Sequence, residues 1–176
     1  MHVAVTERLI LRRLNTDDAS FILRLVNELS WLRHIGDKGV RTVGDAERYI
    51  LNGPVMMYAD MGFGLYLVTL KEQHEPIGIC GLIKREALEN VDLGFAFAAD
   101  YWGKGYAYES AAATLAHGKT EFGLRTIVAI VATDNAACGR DPSSACGRPD
   151  WPPINPIPYH SPARDGHCSR HLPQRA

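Results

Sequence analysis

Apolar positions along the chain follow two periods. Phe21, Ile22, Leu25 and Leu29 recur at helical spacing and form one apolar stripe. The polar cluster Asn15-Thr16-Asp17-Asp18 just ahead of them suits a helix N-terminus. Ala46, Tyr49 and Ile50 predict a short second helix, stopped near Asn52-Gly53-Pro54. Thr42 and Asp45 at its start resemble a capping box. Between the two helices, Trp31 to Lys38 contains Gly36 and reads as a loop. Other runs are β-prone. Arg8 to Leu14 is short, Phe63 to Leu70 is apolar enough for a buried strand, and Pro76 to Ile83 returns as its hairpin partner across the polar turn Lys71–Glu75.

Val91 to Ala98 is the most informative run. Val91, Leu93, Phe95 and Phe97 alternate on one face, and Asp92, Gly94, Ala96 and Ala98 fall on the other. A strand face of small residues with one carboxylate suits close approach of another backbone or a ligand. Trp102-Gly103-Lys104-Gly105-Tyr106-Ala107 follows and opens a helix that ends at Gly118 or Gly123. Arg125 to Val131 is the last convincing strand. The order β-α-α-β-β-β-α-β predicts a mixed α/β domain.

Composition limits the partners. The chain has 176 residues, 46% of them hydrophobic, which is one domain with material for a core. With 19 basic against 20 acidic residues the net charge is −1, so nothing electrostatic points to nucleic acid or a membrane surface. No apolar run is long enough to span a bilayer and no secretion signal is visible, so the expected compartment is the cytoplasm. The averages hide a break. Residues 1–137 carry 14 Lys/Arg and 17 Asp/Glu and read as globular, whereas residues 138–176 hold eight of the ten prolines and no Lys, Glu, Val, Met or Phe. That segment predicts an irregular Pro-rich tail. Its Cys138, Cys146, His160, His167, Cys168 and His171 lack the paired spacing of a zinc site, so no metal is expected.

A strand, a Gly-x-Gly turn and a helix make an anion seat. First-turn amides of a helix have no intrahelical partner, and the macrodipole puts partial positive charge there. Glycines let a phosphate approach closely, and Lys104 adds a cation. The competing reading is a tight turn with no ligand. Neither the P-loop nor the dinucleotide fingerprint is present.

Val91-Asp92-Leu93-Gly94-Phe95 followed by Tyr101-Trp102-Gly103-Lys104-Gly105-Tyr106-Ala107-Tyr108-Glu109 resembles the acetyl-CoA motif of the GNAT superfamily of N-acetyltransferases. The opening Thr6 to Arg12, Gly78 to Gly81 and Asp134-Asn135-Ala136-Ala137 resemble the branch of ribosomal-protein N-terminal acetyltransferases. The resemblance covers roughly residues 5–137 and implies a mostly antiparallel sheet flanked by helices. It implies acetyl-CoA as co-substrate, with the pyrophosphate on Gly103, Lys104, Gly105, Tyr106 and Ala107 and with Trp102 and Asn135 beside it. It also implies a pantetheine arm along Phe95, Ala96 and Phe97. Trp102 departs from the Gln or Arg that opens the superfamily motif.

The implied reaction is direct attack of a primary amine on the thioester. Asp92, the only carboxylate on the small-residue face, is the candidate base, and a hydrogen-bonded structural Asp is the competing reading. Glu109 is expected to be structural. Deprotonating a lysine at neutral pH costs roughly 3.5 kcal/mol more than deprotonating an α-amine, which favours a peptide N-terminus or a small-molecule amine. Beyond Ala137 the family's C-terminal helix and two strands are not recognisable, so the tail is expected to be aberrant. The alternative function is a CoA-binding module with little or no catalysis. Without its expected neighbour, the strand over Ile127–Val131 becomes an apolar edge open to homodimerisation.

Overall fold

The computed structural model describes residues 2–132 and 155–159. Strands β1 (His2–Val5) and β2 (Leu9–Arg13) lead into helices α1 (Ala19–Val26), α2 (Leu29–His34), α3 (Val43–Ile50) and α4 (Met56–Met61). Strands β3 (Leu65–Leu70), β4 (Pro76–Ile83) and β5 (Val91–Phe97) precede the long helix α5 (Tyr106–Phe122), and β6 (Ile127–Ala132) and β7 (Asn155–Tyr159) complete the sheet. The strands lie in chain order in one seven-stranded sheet. Pairing is antiparallel from β1 to β5 and parallel from β5 to β7.

Each face of the sheet buries its own core. On one, Leu9, Leu11, Tyr66, Val68, Leu82 and Leu93 pack with Ala111 and Leu115 of α5. On the other, Leu67 and Ile79 pack with Phe21, Ile22 and Leu25 of α1 and with Ala46 and Ile50 of α3. The alternation of β5 follows this division: Val91, Leu93 and Phe97 belong to the α5 side, and Ala96 and Ala98 pack on the α1–α3 side. The predicted caps form. The Asn15 side chain accepts from the Asp17 N–H at 3.1 Å, and Thr42 and Asp45 exchange reciprocal bonds at 3.1 and 2.8 Å. Gly123, with φ of 63°, ends α5.

The helical layer is richer than the spacing predicts. The expected loop over Trp31–Lys38 begins as α2, anchored by the buried Trp31. Leu29 leaves the first stripe because Asn27 ends α1, its Nδ2 donating to the carbonyls of Leu23 at 2.8 Å and Val40 at 2.9 Å. Leu29 is accordingly exposed. Pro54 does not stop the second helix. The chain widens into a π-type turn over Leu51–Val55, which accommodates a residue without an N–H, and continues as α4 to Gly62.

Two strands also lie outside the expected order. β1 pairs with β2 at the N-terminal edge. The segment read as wholly irregular supplies β7, registered along β6 from Val128↔Asn155 to Ala132↔Tyr159. The apolar edge expected over Ile127–Val131 is therefore covered. Pro156 and Pro158 sit two apart in β7, so the N–H groups they lack fall on one edge, a place where strand prolines are tolerated.

Candidate functional site

β5 organises the site. Its pairing with β4 runs from Ile83↔Asp92 to Gly78↔Phe97, but its pairing with β6 consists of Val91↔Ile127 and Asp92↔Val128 only. Beyond Asp92 the two parallel strands part. Among the described residues no strand pairs with that side of Leu93–Phe97, so the backbone of Leu93 and Phe95 and the N–H of Phe97 meet no described strand there, whereas Ala96, expected to share this edge, is directed at Ile79 of β4. The opening is thus at the strand's edge. The small-residue face, expected to suit close approach of another backbone or a ligand, is covered by side chains instead. Ile83 Cδ1 lies 2.7 Å from where a Cβ on Gly94 would stand, and Ala96 and Ala98 pack against the α1–α3 core.

The end of β5 turns into α5 through Gly103 and Gly105, with φ of 71° and 80°. Both values lie in the left-handed region, which costs other residues roughly 1–2 kcal/mol. Around Gly103 the space is open, since a Cβ there would meet no heavy atom within 4 Å. Gly105 is the N-cap of α5 and brings no capping side chain to the first-turn amides. Trp102, 53% exposed, ties the turn back to the strand by donating from Nε1 to the Phe97 carbonyl at 2.8 Å. Lys104 is exposed, with Nζ 5.2 Å from the Tyr101 ring centroid. A cleft of about 780 Å³ adjoins the turn, lined by Arg8, Gly103, Lys104, Gly105 and Tyr108 among others. The structure therefore brings Trp102 through Ala107 together at the end of the edge formed by Phe95–Phe97. Asn135 lies outside the described residues.

Asp92 sits where β5 and β6 part. Its side chain is only 2% exposed and accepts from Arg85 Nε at 2.9 Å. Burial raises its pKa above the ordinary carboxylate value, and the Arg85 guanidinium partly opposes that rise. Arg85 itself is 47% exposed, in the β4–β5 connection. The Asp is neither solvated nor unpartnered, and it remains the only carboxylate at this vertex among the described residues of β5 and β6.

Glu109 is structural, as expected. It accepts from Thr6 Oγ1 at 2.6 Å, the Arg8 N–H at 2.9 Å and Arg8 Nε at 2.7 Å, fastening the β1–β2 turn to α5. Burial alone would raise its pKa, but these donors outweigh it and hold the carboxyl below its ordinary value. Sequence reasoning did not single out Arg8 or Arg85, because each meets its partner only through the folded sheet. Among the described residues, no group of three or more His, Cys, Asp and Glu side chains could hold a metal ion. No described helix is long and apolar enough to cross a membrane.

Residues 8–140 match the model of the acetyltransferase (GNAT) domain family. The chain is 26% identical over 137 residues to an uncharacterized N-acetyltransferase, YoaA, of Bacillus subtilis (strain 168), covering 77% of this chain and 76% of that one. An acetyltransferase from Agrobacterium tumefaciens str. C58 shares the fold with a TM-score of 0.65 at 24% identity, covering 76% of this chain and 75% of the other. RimL, a ribosomal L7/L12 alpha-N-protein acetyltransferase solved in complex with coenzyme A, shares it with a TM-score of 0.63 at 18% identity over 73% of each chain.

Proposed function

The chain belongs to the GNAT acetyltransferase family, and on that premise we propose that it transfers an acetyl group from acetyl-CoA to a primary amine, a peptide N-terminus or a small-molecule amine. The observation that carries this reading is the parting of β5 and β6 at Asp92, directly upstream of the two left-handed glycines.

The site suits acetyl-CoA at both ends. Gly103, Lys104, Gly105, Tyr106 and Ala107 offer backbone donors, a helix N-terminus and one cation to the pyrophosphate, with Trp102 on the rim. On the β5 edge away from β4, Phe95 offers its backbone N–H and C=O and Phe97 its N–H to the amides of the pantetheine arm, with Ala96 between them turned to β4. When bound, the molecule supplies an activated acyl thioester. The protein's own task is to fix it and to take a proton from the incoming ammonium. Asp92 is the group for that task. Its dry setting raises its affinity for a proton, and Arg85 keeps an anionic form accessible. A single carboxylate of this kind is better matched to an α-amine, whose pKa is near 7.8, than to a lysine near 10.4.

One observation favours a second reading, a CoA-binding module without turnover: the ion pair with Arg85 already occupies the proposed base. Calorimetric titration with acetyl-CoA, run beside thiol release over a panel of α-amines and lysine analogues, separates the two. Binding with thiol release on α-amines supports the acetyltransferase, binding without release supports the module, and absence of binding overturns both.

A further inference from the structure

The glycine turn is held from outside by a residue about a hundred positions away in the sequence. Arg8, in the β1–β2 turn, donates from Nη1 to the Lys104 carbonyl at 3.0 Å. Its Nε reaches Glu109 at 2.7 Å, and its guanidinium lies 4.7 Å over the ring of Tyr106. Its Nη2 stands 3.4 Å from where a Cβ on Gly105 would be. One side chain thus meets Lys104 in the turn and Tyr106 and Glu109 in the first turn of α5, and lies beside Gly105.

The contact with the Lys104 carbonyl fixes more than a position. That carbonyl and the Gly105 N–H belong to one planar trans peptide, in which C=O and N–H point in opposite directions. Drawing the carbonyl toward Arg8 directs the Gly105 N–H away from the guanidinium. Rotating this peptide by half a turn would carry Gly105 from φ of 80° to a negative φ, and glycine adopts both with similar ease. The backbone itself therefore has little preference between presenting a donor and presenting a carbonyl oxygen on the side away from Arg8. A carbonyl facing a pyrophosphate repels it, and an N–H attracts it.

Glu109 completes the arrangement. A carboxylate in the first turn of α5 suits the helix dipole but would oppose an incoming phosphate. Here it is directed to Arg8 and Thr6, and its charge is matched by the same guanidinium that holds the carbonyl.

We propose that Arg8 is a positioning residue for coenzyme A: it locks the Lys104–Gly105 peptide in the orientation that gives its N–H to the pyrophosphate. The inference rests on the reading of the turn as the pyrophosphate site. The test is titration of wild type, Arg8→Ala and Glu109→Gln with coenzyme A and with pantetheine, which has the arm but no phosphates, together with the amide NMR shift of Gly105. Arg8→Ala is expected to lose roughly tenfold in affinity for coenzyme A, the worth of one charge-assisted bond to a phosphate, and nothing for pantetheine, with the Gly105 amide signal displaced. Glu109→Gln keeps one acceptor oxygen, loses the one that meets Arg8 Nε and leaves the Nη1 bond to the Lys104 carbonyl in place, so it is expected to retain coenzyme A affinity within about twofold. Equal losses for coenzyme A and pantetheine, or an unmoved Gly105 amide with unchanged affinity, overturn the proposal and leave the acetyltransferase reading intact. Wild type that binds neither molecule overturns that reading itself. If Arg8→Ala fails to fold, Arg8→Met, which keeps the aliphatic stem and removes every donor to the carbonyl, carries the same comparison.

Discussion

The two ends of β5 are built oppositely. At its C-terminal end the chain is exposed, turns through two left-handed glycines and opens a helix with no side-chain cap. At its N-terminal end Asp92 is enclosed and paired with Arg85. On the proposed function, one end receives a large charged molecule from solvent, and the other keeps a single proton-accepting group away from it. Binding and proton transfer need contrary surroundings: phosphate contacts gain from accessible donors, whereas a carboxylate becomes a useful base at neutral pH when burial raises its pKa. The strand between them sets the separation.

Substitutions that affect one end alone sharpen this contrast. The largest effect is expected for Asp92→Asn, which keeps the shape and removes the base. Turnover should fall about a hundredfold or more while the Kd for acetyl-CoA stays within about twofold, read from thiol release and calorimetry. An equal loss in both quantities would show that the two ends are not separable. Gly105→Ala works on the other end. A Cβ at φ of 80° is strained and lies 3.4 Å from Arg8 Nη2, so acetyl-CoA affinity should drop roughly tenfold with little change in turnover at saturation.

Arg85→Met tests the enclosed end by pH. Burial raises the pKa of Asp92 and Arg85 lowers it, so removing the guanidinium lets the carboxyl hold its proton to higher pH. The rising limb of turnover against pH should move upward, measured with an amine that stays protonated across the range, so that the limb reports the enzyme's own base. The smallest effect is expected for Glu109→Gln on stability. The carboxyl of Glu109 is held below its ordinary pKa, so its stabilisation is fully present above the unfolded-state value and is lost as pH falls through the folded one. Thermal melts should show a deficit of about 0.5–1 kcal/mol at pH 7, since Arg8 is partly exposed, and the gap should close in acid.

Much of this architecture could be read from local pattern. The Asn15 cluster, the Thr42–Asp45 box and the alternation through β5 are one-element signals whose physics acts within a few residues, and the structure agrees with each. So is the glycine turn, since the residue type reports the backbone it needs. The misplacements share one cause, in that tertiary contacts overrode local preference. Trp31 is buried and organises a helix where Gly36 suggested a loop, and the wider turn at Leu51–Val55 carries the chain past Pro54. The small-residue face of β5 was legible as composition, but its covering by Ile83 and the α1–α3 layer was not. Arg85 and Asp92 stand seven residues apart across a strand connection, and Arg8 and Glu109 about a hundred apart. No spacing rule links such pairs.

The brevity of the β5–β6 register has a mechanical consequence. Two rungs, Val91↔Ile127 and Asp92↔Val128, splice the last strands onto the body of the sheet. A guest that hydrogen-bonds along the side of β5 that no described strand pairs extends this splice, so occupancy and the continuity of the sheet rise together. Loading the protein should therefore slow amide exchange on both banks at once, a stiffening that travels to β6 without any change in its own sequence neighbours.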